Sequence, residues 1–394
     1  MATNIQYYEN VLKEVYAPAI SKEFTRNKPL LEKLEKSTEY ADIAGRYYYV
    51  PVALLANQSI GTAGEYDNIA SPTQTVTQGA KYFSYIQWGL ARLSERALKA
   101  STSFDAAWEN LKSFEFASII ENLRQNVNRQ LYSDGSGKLA TCGAATSTNT
   151  IPIDNPKYIF ENMFVDIIHA NGTTLVAGVQ VTAVDRGTSP TMTISGSPVT
   201  TVATDIVVRS GSYQKEWDGL AKIVQSTGAV GGIDPSTAGF QNWAAYRDTT
   251  GGPVGMPLIQ KAFDAIELVG GTVDLIVASY GVYRAMANYM EQQKRIAVEG
   301  TVKLSGGMTG MTWNGVEAYK DQDCPAGTAY FIDKSAIQFG QVGDPDWLET
   351  GGVEGGILHY IPRTFTYEAT YYWDGNLITL HRNKLAAIQN ITEA

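Results

Sequence analysis

The sequence predicts a mixed α+β fold built from long segments that reach beyond a single compact domain. A tyrosine-rich segment of strand-forming residues extends from Tyr47 to Trp88. A helix of about thirty residues is predicted from Ser103 to Tyr132, and the glycine-rich turn 134–137 ends it. Neither a two-stranded arm nor so long a helix is expected to bury its apolar side within one domain. We therefore expect neighbouring copies to complete the fold.

Composition narrows the class of protein. The chain has 394 residues, enough for about two or three domains. Charged residues make up 18%, below the usual quarter, which is typical of a surface covered by other protein. With 31 basic and 40 acidic residues the net charge is −9, which argues against a dedicated nucleic-acid binder but not against a container for nucleic acid. No signal peptide and no membrane span is predicted.

The first ninety residues predict an arm and a hairpin. Residues 1–44 are a lead-in arm of short helices, broken by Pro18 and Pro29. Residues 45–90 predict a long hairpin, with a first strand near 47–52 and a return strand over 81–88. Strand addition to a neighbouring subunit would stabilise such a ribbon. An ordinary hairpin folded on the chain's own core fits the local sequence equally well.

Residues 91–149 contain the long helix. Thr102 or Ser103 is a suitable N-cap, and Asp105 lies in the first turn. One apolar stripe keeps helical spacing, formed by Phe116, Ile119, Ile120, Leu123, Val127 and Leu131. The alternative is a coiled coil, but the stripe does not keep a strict heptad.

Residues 150–213 predict a small inserted β-barrel. Glycine turns separate four short strand candidates, at 165–168, 180–184, 191–194 and 205–208. The region contains few helix formers and lies between two helical regions.

The rest of the chain predicts an α/β region and a final β region. Residues 214–340 alternate helices and strands: helices near 257–269 and 281–297, strands at 273–278, 316–319 and 330–332, and a glycine-rich loop at 305–310. In residues 341–394, apolar and polar residues alternate over 364–373. Asp374-Gly375 predicts a hairpin turn with a return strand at 377–380, and a closing strand is predicted over 384–391.

No catalytic or metal-binding motif emerges. His169, His359 and His381 lack metal-ligand spacing, so structural roles are predicted for all three. Cys142 and Cys324 form no CxxC pair, so reduced thiols and no zinc site are predicted. There is no GxSxG elbow, and the phosphate-loop pattern fails after Gly137-Lys138 because a leucine follows.

Two acidic pairs leave alternatives open. Asp321 with Asp323, or Asp344 with Asp346, would help to hold a calcium ion, although such loops are more often plain turns. Nothing selects two acids for glycoside hydrolysis. Aromatic side chains of the hairpin and the terminal sheet are of a kind that stacks on bases or sugars, but packing explains them better, given the net charge of −9. The prediction is a protein with no cofactor, no bound metal and no enzymatic activity.

The order of these parts, together with three local stretches, resembles the tailed-bacteriophage major capsid protein, whose fold also occurs in encapsulin shells and the herpesvirus capsid floor. The stretches are 132–139, which resembles the turn after the spine helix, 313–333, which resembles a strand–turn–strand, and 376–390, which resembles the closing strands. The resemblance covers most of the chain apart from 150–213.

The resemblance implies a role for each segment. Residues 45–90 would be the extended loop that overlaps the next subunit, 103–132 the spine helix, 214–340 the axial domain, and 91–149 with 341–394 the peripheral domain. The inserted domain would lie on the outer surface.

The resemblance also implies two sets of candidate residues. The inter-subunit set is Arg46, Tyr47, Tyr49, Glu65, Tyr66, Lys81, Tyr82, Trp88, Arg92 and Arg363. The set facing the capsomer axis is Glu299, Lys303, Gly306, Gly307 and Gly310.

Partners and location also follow from the resemblance. The chain would form hexamers and pentamers of an icosahedral shell around double-stranded DNA, with a portal protein and, in some particles, decoration proteins. It would assemble in the host cytoplasm and reside in the virion. The hairpin tip has no lysine, so no covalent cross-link between subunits is expected; and because only residues 1–44 precede the hairpin, a separate scaffolding protein is expected. The alternatives are an encapsulin-like compartment and, from another class, a polymer-binding β protein.

Overall fold

The computed structural model describes residues 28–34, 36–37, 48–66, 71–96, 111–296, 311–349 and 356–394. The helices are α1 Pro29–Lys33, α2 Leu111–Leu131, α3 Leu220–Ile223, α4 Met256–Leu268 and α5 Tyr280–Ile296. The first strands are β1 Lys36–Ser37, β2 Tyr48–Leu55, β3 Val76–Tyr82, β4 Tyr85–Ser94, β5 Lys138–Thr141, β6 Ala145–Thr148, β7 Thr150–Pro152, β8 Phe164–Ile168, β9 Thr174–Asp185, β10 Thr191–Ile194, β11 Val199–Thr201 and β12 Ile206–Arg209. The later strands are β13 Tyr246–Asp248, β14 Leu275–Ala278, β15 Met311–Trp313, β16 Val316–Lys320, β17 Ala329–Ile332, β18 Ile337–Gln341, β19 Asp346–Trp347, β20 His359–Tyr360, β21 Thr366–Thr379 and β22 Leu385–Ile388.

The chain forms two compact units. Among the described residues, the smaller unit comprises 87–96, 111–125, 345–349 and 356–373, and the larger unit comprises the remainder. None of the described helices combines the length and the apolar character that crossing a bilayer requires.

A mixed sheet and two helices form the main core of the larger unit. The strand order is β13-β22-β17-β14-β16-β15, with β14 antiparallel to β17 and parallel to β16. Pro257 stands in the first turn of α4, where its missing N–H costs no hydrogen bond. Apolar residues of both helices pack with those of the sheet, among them Phe263, Met286 and Phe331. The predicted helices and strands of this region are confirmed to within a few residues.

A second sheet of the larger unit occupies 138–209. Its order is β5-β12-β8-β9-β10-β7, and every pairing is antiparallel. A bridge between Cys142 and Ile153 joins the chain just beyond β5 to the chain just beyond β7. All four predicted strands lie in this sheet. However, the sheet begins at Lys138 rather than at 150, because β5 pairs with β12.

The hairpin differs from the prediction in two ways. Its return strand is β3, whereas β4 is a separate strand that pairs with β21. In addition, alternate residues of β2 are buried within the chain's own larger unit. The expectation that the arm cannot bury its apolar side is therefore wrong for the base of the hairpin. The reason is that residues 230–243 provide an intrachain partner surface, which the local sequence does not reveal.

Asp374-Gly375 is not a turn. Strand β21 runs without interruption through both residues, and Gly375 lies opposite Gln341 of β18. A Cβ added at Gly375 would lie 2.6 Å from the carbonyl oxygen of Gly340. Glycine at position 375 therefore allows β21 and β18 to approach closely.

The smaller unit consists of part of α2 packed on a small sheet. In this sheet β19 and β20 pair with β21. Phe116 and Ile119 of α2 pack against a cluster around Ala91 and Ala369. At Gly89 an added Cβ would lie 2.5 Å from the Ile119 side chain, so glycine allows the helix to approach the strand. The predicted stripe is confirmed over this stretch, whereas the predicted caps at 102–103 lie outside the described residues.

Candidate assembly surfaces

The hairpin tip is held together by side chains instead of a backbone ladder. The backbone N–H of Gln58 donates to Thr73 Oγ1 at 2.9 Å, and Thr73 Oγ1 donates to Asn57 Oδ1 at 2.8 Å. Beyond this clasp the side chains of Ile60 and Tyr66 are 84% and 92% exposed. Two large apolar groups are therefore presented to solvent at the end of a projecting ribbon.

The hairpin base is fixed to the body of the larger unit. The backbone N–H of Lys81 donates to the Gly231 carbonyl at 2.8 Å, and the Asn242 amide donates to the Leu54 carbonyl at 2.9 Å. The Tyr82 hydroxyl donates to the Thr379 carbonyl at 3.1 Å, and burial raises the pKa of Tyr82 above its usual value. Because both strands are anchored, the base is ordered without any neighbour.

The predicted inter-subunit residues fall into three groups. Those with exposed side chains are Tyr49, Glu65, Tyr66, Lys81, Trp88, Arg92 and Arg363. Tyr82 is only 1% exposed and packs inside its own chain, so it is removed from the candidate surface. The residues outside the described part of the chain are Arg46 and Tyr47 of the hairpin candidates and Glu299, Lys303, Gly306, Gly307 and Gly310 of the axis candidates.

One face of the smaller unit exposes a row of side chains along β4. Trp88, Leu90 and Arg92 are outward-facing because alternate residues of a strand point to the same side. Arg92 Nη2 lies 3.0 Å from Glu368 Oε2 of β21, in an exposed ion pair. Such a pair contributes little stability by itself. Next to an exposed tryptophan it is typical of the polar rim of a contact surface.

The turn between β20 and β21 is a further exposed feature. Arg363 adopts a left-handed backbone, with φ of 67°, and Phe365 is 80% exposed. The sequence reasoning singled out Arg363 but missed Ile60, Leu90 and Phe365. The sequence contains a signal for two of them: Ile60 is a single large apolar residue in a polar tip, and Phe365 is one among turn residues.

A buried polar cluster lies elsewhere in the larger unit, around Asp321 and Asp323. The Asn128 side-chain amide donates to both oxygens of Asp321 at 3.2 Å and to Asp323 Oδ2 at 2.9 Å. The Tyr132 hydroxyl donates to Asp321 at 2.9 Å, and the Tyr158 hydroxyl donates to Asp323 at 3.0 Å. Burial raises the pKa of Asp321 above its usual value, because desolvation disfavours the charged carboxylate.

Lys157 occupies the position that a cation would take beside this pair. Its Nζ lies 3.4 Å from Asp323 Oδ1 and donates to the backbone carbonyl of Gln322. A protein cation therefore pairs with one of the two carboxylates, that of Asp323. Within the described residues no group of three or more histidine, cysteine or acidic side chains is arranged to hold a metal ion.

A buried ion pair adjoins this cluster. Arg129 of α2 pairs with Glu216, and both side chains are almost fully buried. The pKa of Arg209 is lowered to about 10 by burial first and by repulsion from Arg129 second. These contacts link α2, the sheet of 138–209 and the segment that follows it, so they serve the architecture of the larger unit.

The histidines and cysteines contact protein groups. His169 Nδ1 lies 2.8 Å from Asp205 Oδ1, and His359 Nε2 lies 2.9 Å from the Leu348 carbonyl. Burial raises the pKa of the Cys142 thiol to about 12, so it carries little thiolate near neutral pH.

Comparisons with known proteins identify the fold. No family model matches the chain, and no curated protein matches its sequence. Among solved structures, the capsid asymmetric unit of cyanophage A-1(L) has a TM-score of 0.64 at 11% identity, covering 99% of this chain and 100% of that one. The native GTA particle capsid has a TM-score of 0.54 at 8% identity, covering 98% and 97%. The capsid of Myoviridae phage XM1 has a TM-score of 0.52 at 11% identity, covering 96% and 97%.

Proposed function

We propose that this chain, which has the fold of tailed-phage major capsid proteins, forms the shell of an icosahedral particle around double-stranded DNA. The observation that carries the proposal is the likeness to a phage capsid subunit, because it extends over 99% of this chain and 100% of that one. The exposed apolar groups on the hairpin and on the smaller unit add support, since contacts between subunits would cover them. The work of the protein is assembly and containment.

Each segment then has an assembly role. The hairpin of β2 and β3 within residues 45–90 would be the extended loop, α2 would belong to the spine helix, and 214–340 would form the axial domain. Residues 91–149 with 341–394 would form the peripheral domain, and 150–213 would be the inserted β-barrel domain. A portal protein, a separate scaffolding protein and decoration proteins are the further partners proposed. The virion is the proposed location and the host cytoplasm the place of assembly.

Contacts between subunits are individually modest. Each apolar side chain covered by a neighbour contributes roughly 25 cal/mol per Å² of buried surface. Ile60 and Tyr66 at the tip, Trp88 on β4 and Phe365 before β21 are large candidates. Closed symmetry repeats every contact around each ring, so a subunit held weakly at one point is held firmly in the shell.

The test is assembly of a variant with both tip residues changed, Ile60→Ser and Tyr66→Ser. The purified subunit, expressed alone and with its scaffolding protein, is examined by electron microscopy and light scattering. We expect the unchanged protein to form shells or rings of five and six, and the variant to stay a folded single subunit. Val202→Ser is the matched control, because Val202 is 49% exposed but lies outside the hairpin.

Two outcomes contradict the proposal. A monodisperse single subunit of the unchanged protein under both conditions would remove the shell function. Shells that contain protein cargo and no DNA would identify a compartment of the encapsulin kind. Equal assembly of the tip variant and the control would keep the shell but remove the tip as a contact.

A further inference from the structure

The hairpin base rests on one short segment of the larger unit, residues 227–243, which we call the socket. Two hydrogen bonds connect them, from Lys81 N–H to the Gly231 carbonyl and from the Asn242 amide to the Leu54 carbonyl. One bond reaches each hairpin strand, so the socket restrains both the tilt and the rotation of the ribbon.

Gly231 is the closest contact in the socket. Its φ of +61° is left-handed, and a Cβ there would lie 2.8 Å from the Cβ of Ala80 and 3.2 Å from the Tyr82 ring. Only glycine satisfies both the backbone geometry and the close approach. The strand β3 is therefore seated directly on the backbone of the socket.

Arg382 braces the socket from inside. It is fully buried and donates to three backbone carbonyls: Ile223 at 2.7 Å, Gly228 at 2.8 Å and Thr227 at 3.1 Å. Trp243 adds a hydrogen bond from its indole to the Val230 carbonyl at 3.2 Å. Burying an arginine is costly unless its donors are satisfied, and here two of the three partners, Thr227 and Gly228, belong to the socket, while Ile223 ends α3 just before it. This arrangement fixes the loop on which Gly231 stands.

We infer that Gly231, on the loop braced by Arg382, is a positioning contact that sets the direction in which the hairpin leaves the subunit. The inference rests on the proposed shell function for its consequence, because the partner of the hairpin tip is a second copy of this chain. The lever arm runs from Leu54, which is hydrogen-bonded to the socket, to Ile60 and is about 20 Å long at strand rise, so a tilt of about 10° moves the tip by about 3–4 Å. That is most of the spacing between paired strands, about 4.8 Å.

The direction of the hairpin before binding also affects the rate and extent of association between subunits. A hairpin that is already directed at its partner loses less conformational freedom on binding than one that must search. The socket should therefore act on the rate and extent of assembly while leaving the tip contacts themselves unchanged.

The test compares two glycines of the same loop. Gly231→Ala places a Cβ against Ala80, whereas Gly232→Ala, with φ of +79° and no atom within 4 Å, carries the same backbone strain without the collision. The double variant Ala80→Gly with Gly231→Ala removes the atom that is struck. Thermal unfolding of each variant establishes that it folds.

The direction of the hairpin is measured in the free subunit. Spin labels are attached through Ile60→Cys and Val202→Cys, since the two native cysteines are buried. We expect Gly231→Ala to shift the distance between labels by about 3 Å, within the leverage given by strand rise. Gly232→Ala is expected to leave the distance unchanged, and the double variant to restore it.

Assembly is measured in parallel by sedimentation. We expect the assembled fraction to fall about tenfold for Gly231→Ala at a protein concentration near the assembly midpoint, because the misdirected hairpin must be reoriented on binding. Identical label distances for Gly231→Ala and Gly232→Ala would overturn the inference even if no variant assembles. If the unchanged protein also fails to assemble, the shell function fails, and the label distances still decide the role of the socket.

Discussion

At the scale of single residues, the side-chain amide of Asn128 donates hydrogen bonds to two buried carboxylates that would otherwise face one another. Its amide contacts both Asp321 and Asp323, and Asp321 is 1% exposed. The only positive charge bonded to either carboxylate within the described residues is Lys157, on Asp323. The Asp321 carboxylate is therefore stabilised by neutral hydrogen-bond donors, of which Asn128 is one.

Asn128→Ala should lower the free energy of unfolding by about 2–3 kcal/mol at pH 7, because buried charged acceptors lose a donor. The loss should shrink as pH falls. The pKa of Asp321 is already raised in the folded state, so that state binds the proton more tightly than the unfolded chain, and stability is regained as pH drops through the folded pKa.

Urea denaturation at pH 7 and near pH 5 measures the effect. Asn122→Ala is the control, since Asn122 is an exposed residue of the same helix. A loss for Asn128→Ala that is equal at both pH values would show that the ionisation of Asp321 is not involved.

Only part of the candidate surface could be predicted from individual residues of the sequence. Alternation along a strand predicts that Tyr48 and Tyr49 point to opposite faces, as do Lys81 and Tyr82. It does not reveal which face the chain itself covers. That depends on residues 230–243, far away in sequence, which is why Tyr82 was wrongly included among the surface residues.

At the scale of elements, the pairing of β18 with β21 depends on two glycines. An added Cβ would lie 2.6 Å from a carbonyl oxygen at Gly375 and 2.0 Å from Ile378 at Gly340. We expect Gly375→Ala to destabilise the protein by about 1–3 kcal/mol through overpacking. Gly343→Ala, with no atom within 4 Å, should leave stability nearly unchanged. Chemical denaturation of the two variants is the measurement, and equal midpoints would refute the close-approach explanation.

Elements with strong periodicity were predictable, and long-range pairings were not. The stripe of α2 and the helix α4 follow from apolar spacing and from Pro257. Asp374-Gly375 was misread because the same dipeptide favours turns when no partner strand demands close approach. The start of the second sheet at Lys138 was missed because β5 is paired by β12, some seventy residues later.

At the scale of the whole molecule, the two units differ in the core that supports them. Within the described residues, the buried cluster of the smaller unit contains Ala91, Leu358 and Ala369, whereas the clusters of the larger unit are more extensive. Local stability follows buried apolar contact, so the smaller unit should open more readily in the free subunit.

Hydrogen exchange should reveal this difference. In the free subunit we expect the amides of β20 and the start of β21 to exchange faster than those of β14, which is fully buried. In the assembled shell the smaller unit should become protected, because neighbours cover its exposed apolar groups. Equal protection of the two units before assembly would show that the small cluster is sufficient on its own.

The sheet of 138–209 enters and leaves through paired strands, since Ala140 of β5 lies opposite Val207 of β12. The two ends are thus about 5 Å apart, a gap that a short glycine-containing turn closes. A region attached in this way can accept a foreign sequence in one of its turns with little strain on the rest of the chain, whereas its removal would take Lys157 and Tyr158 away from Asp323. It is the natural site for displaying an antigen or an affinity tag on this scaffold.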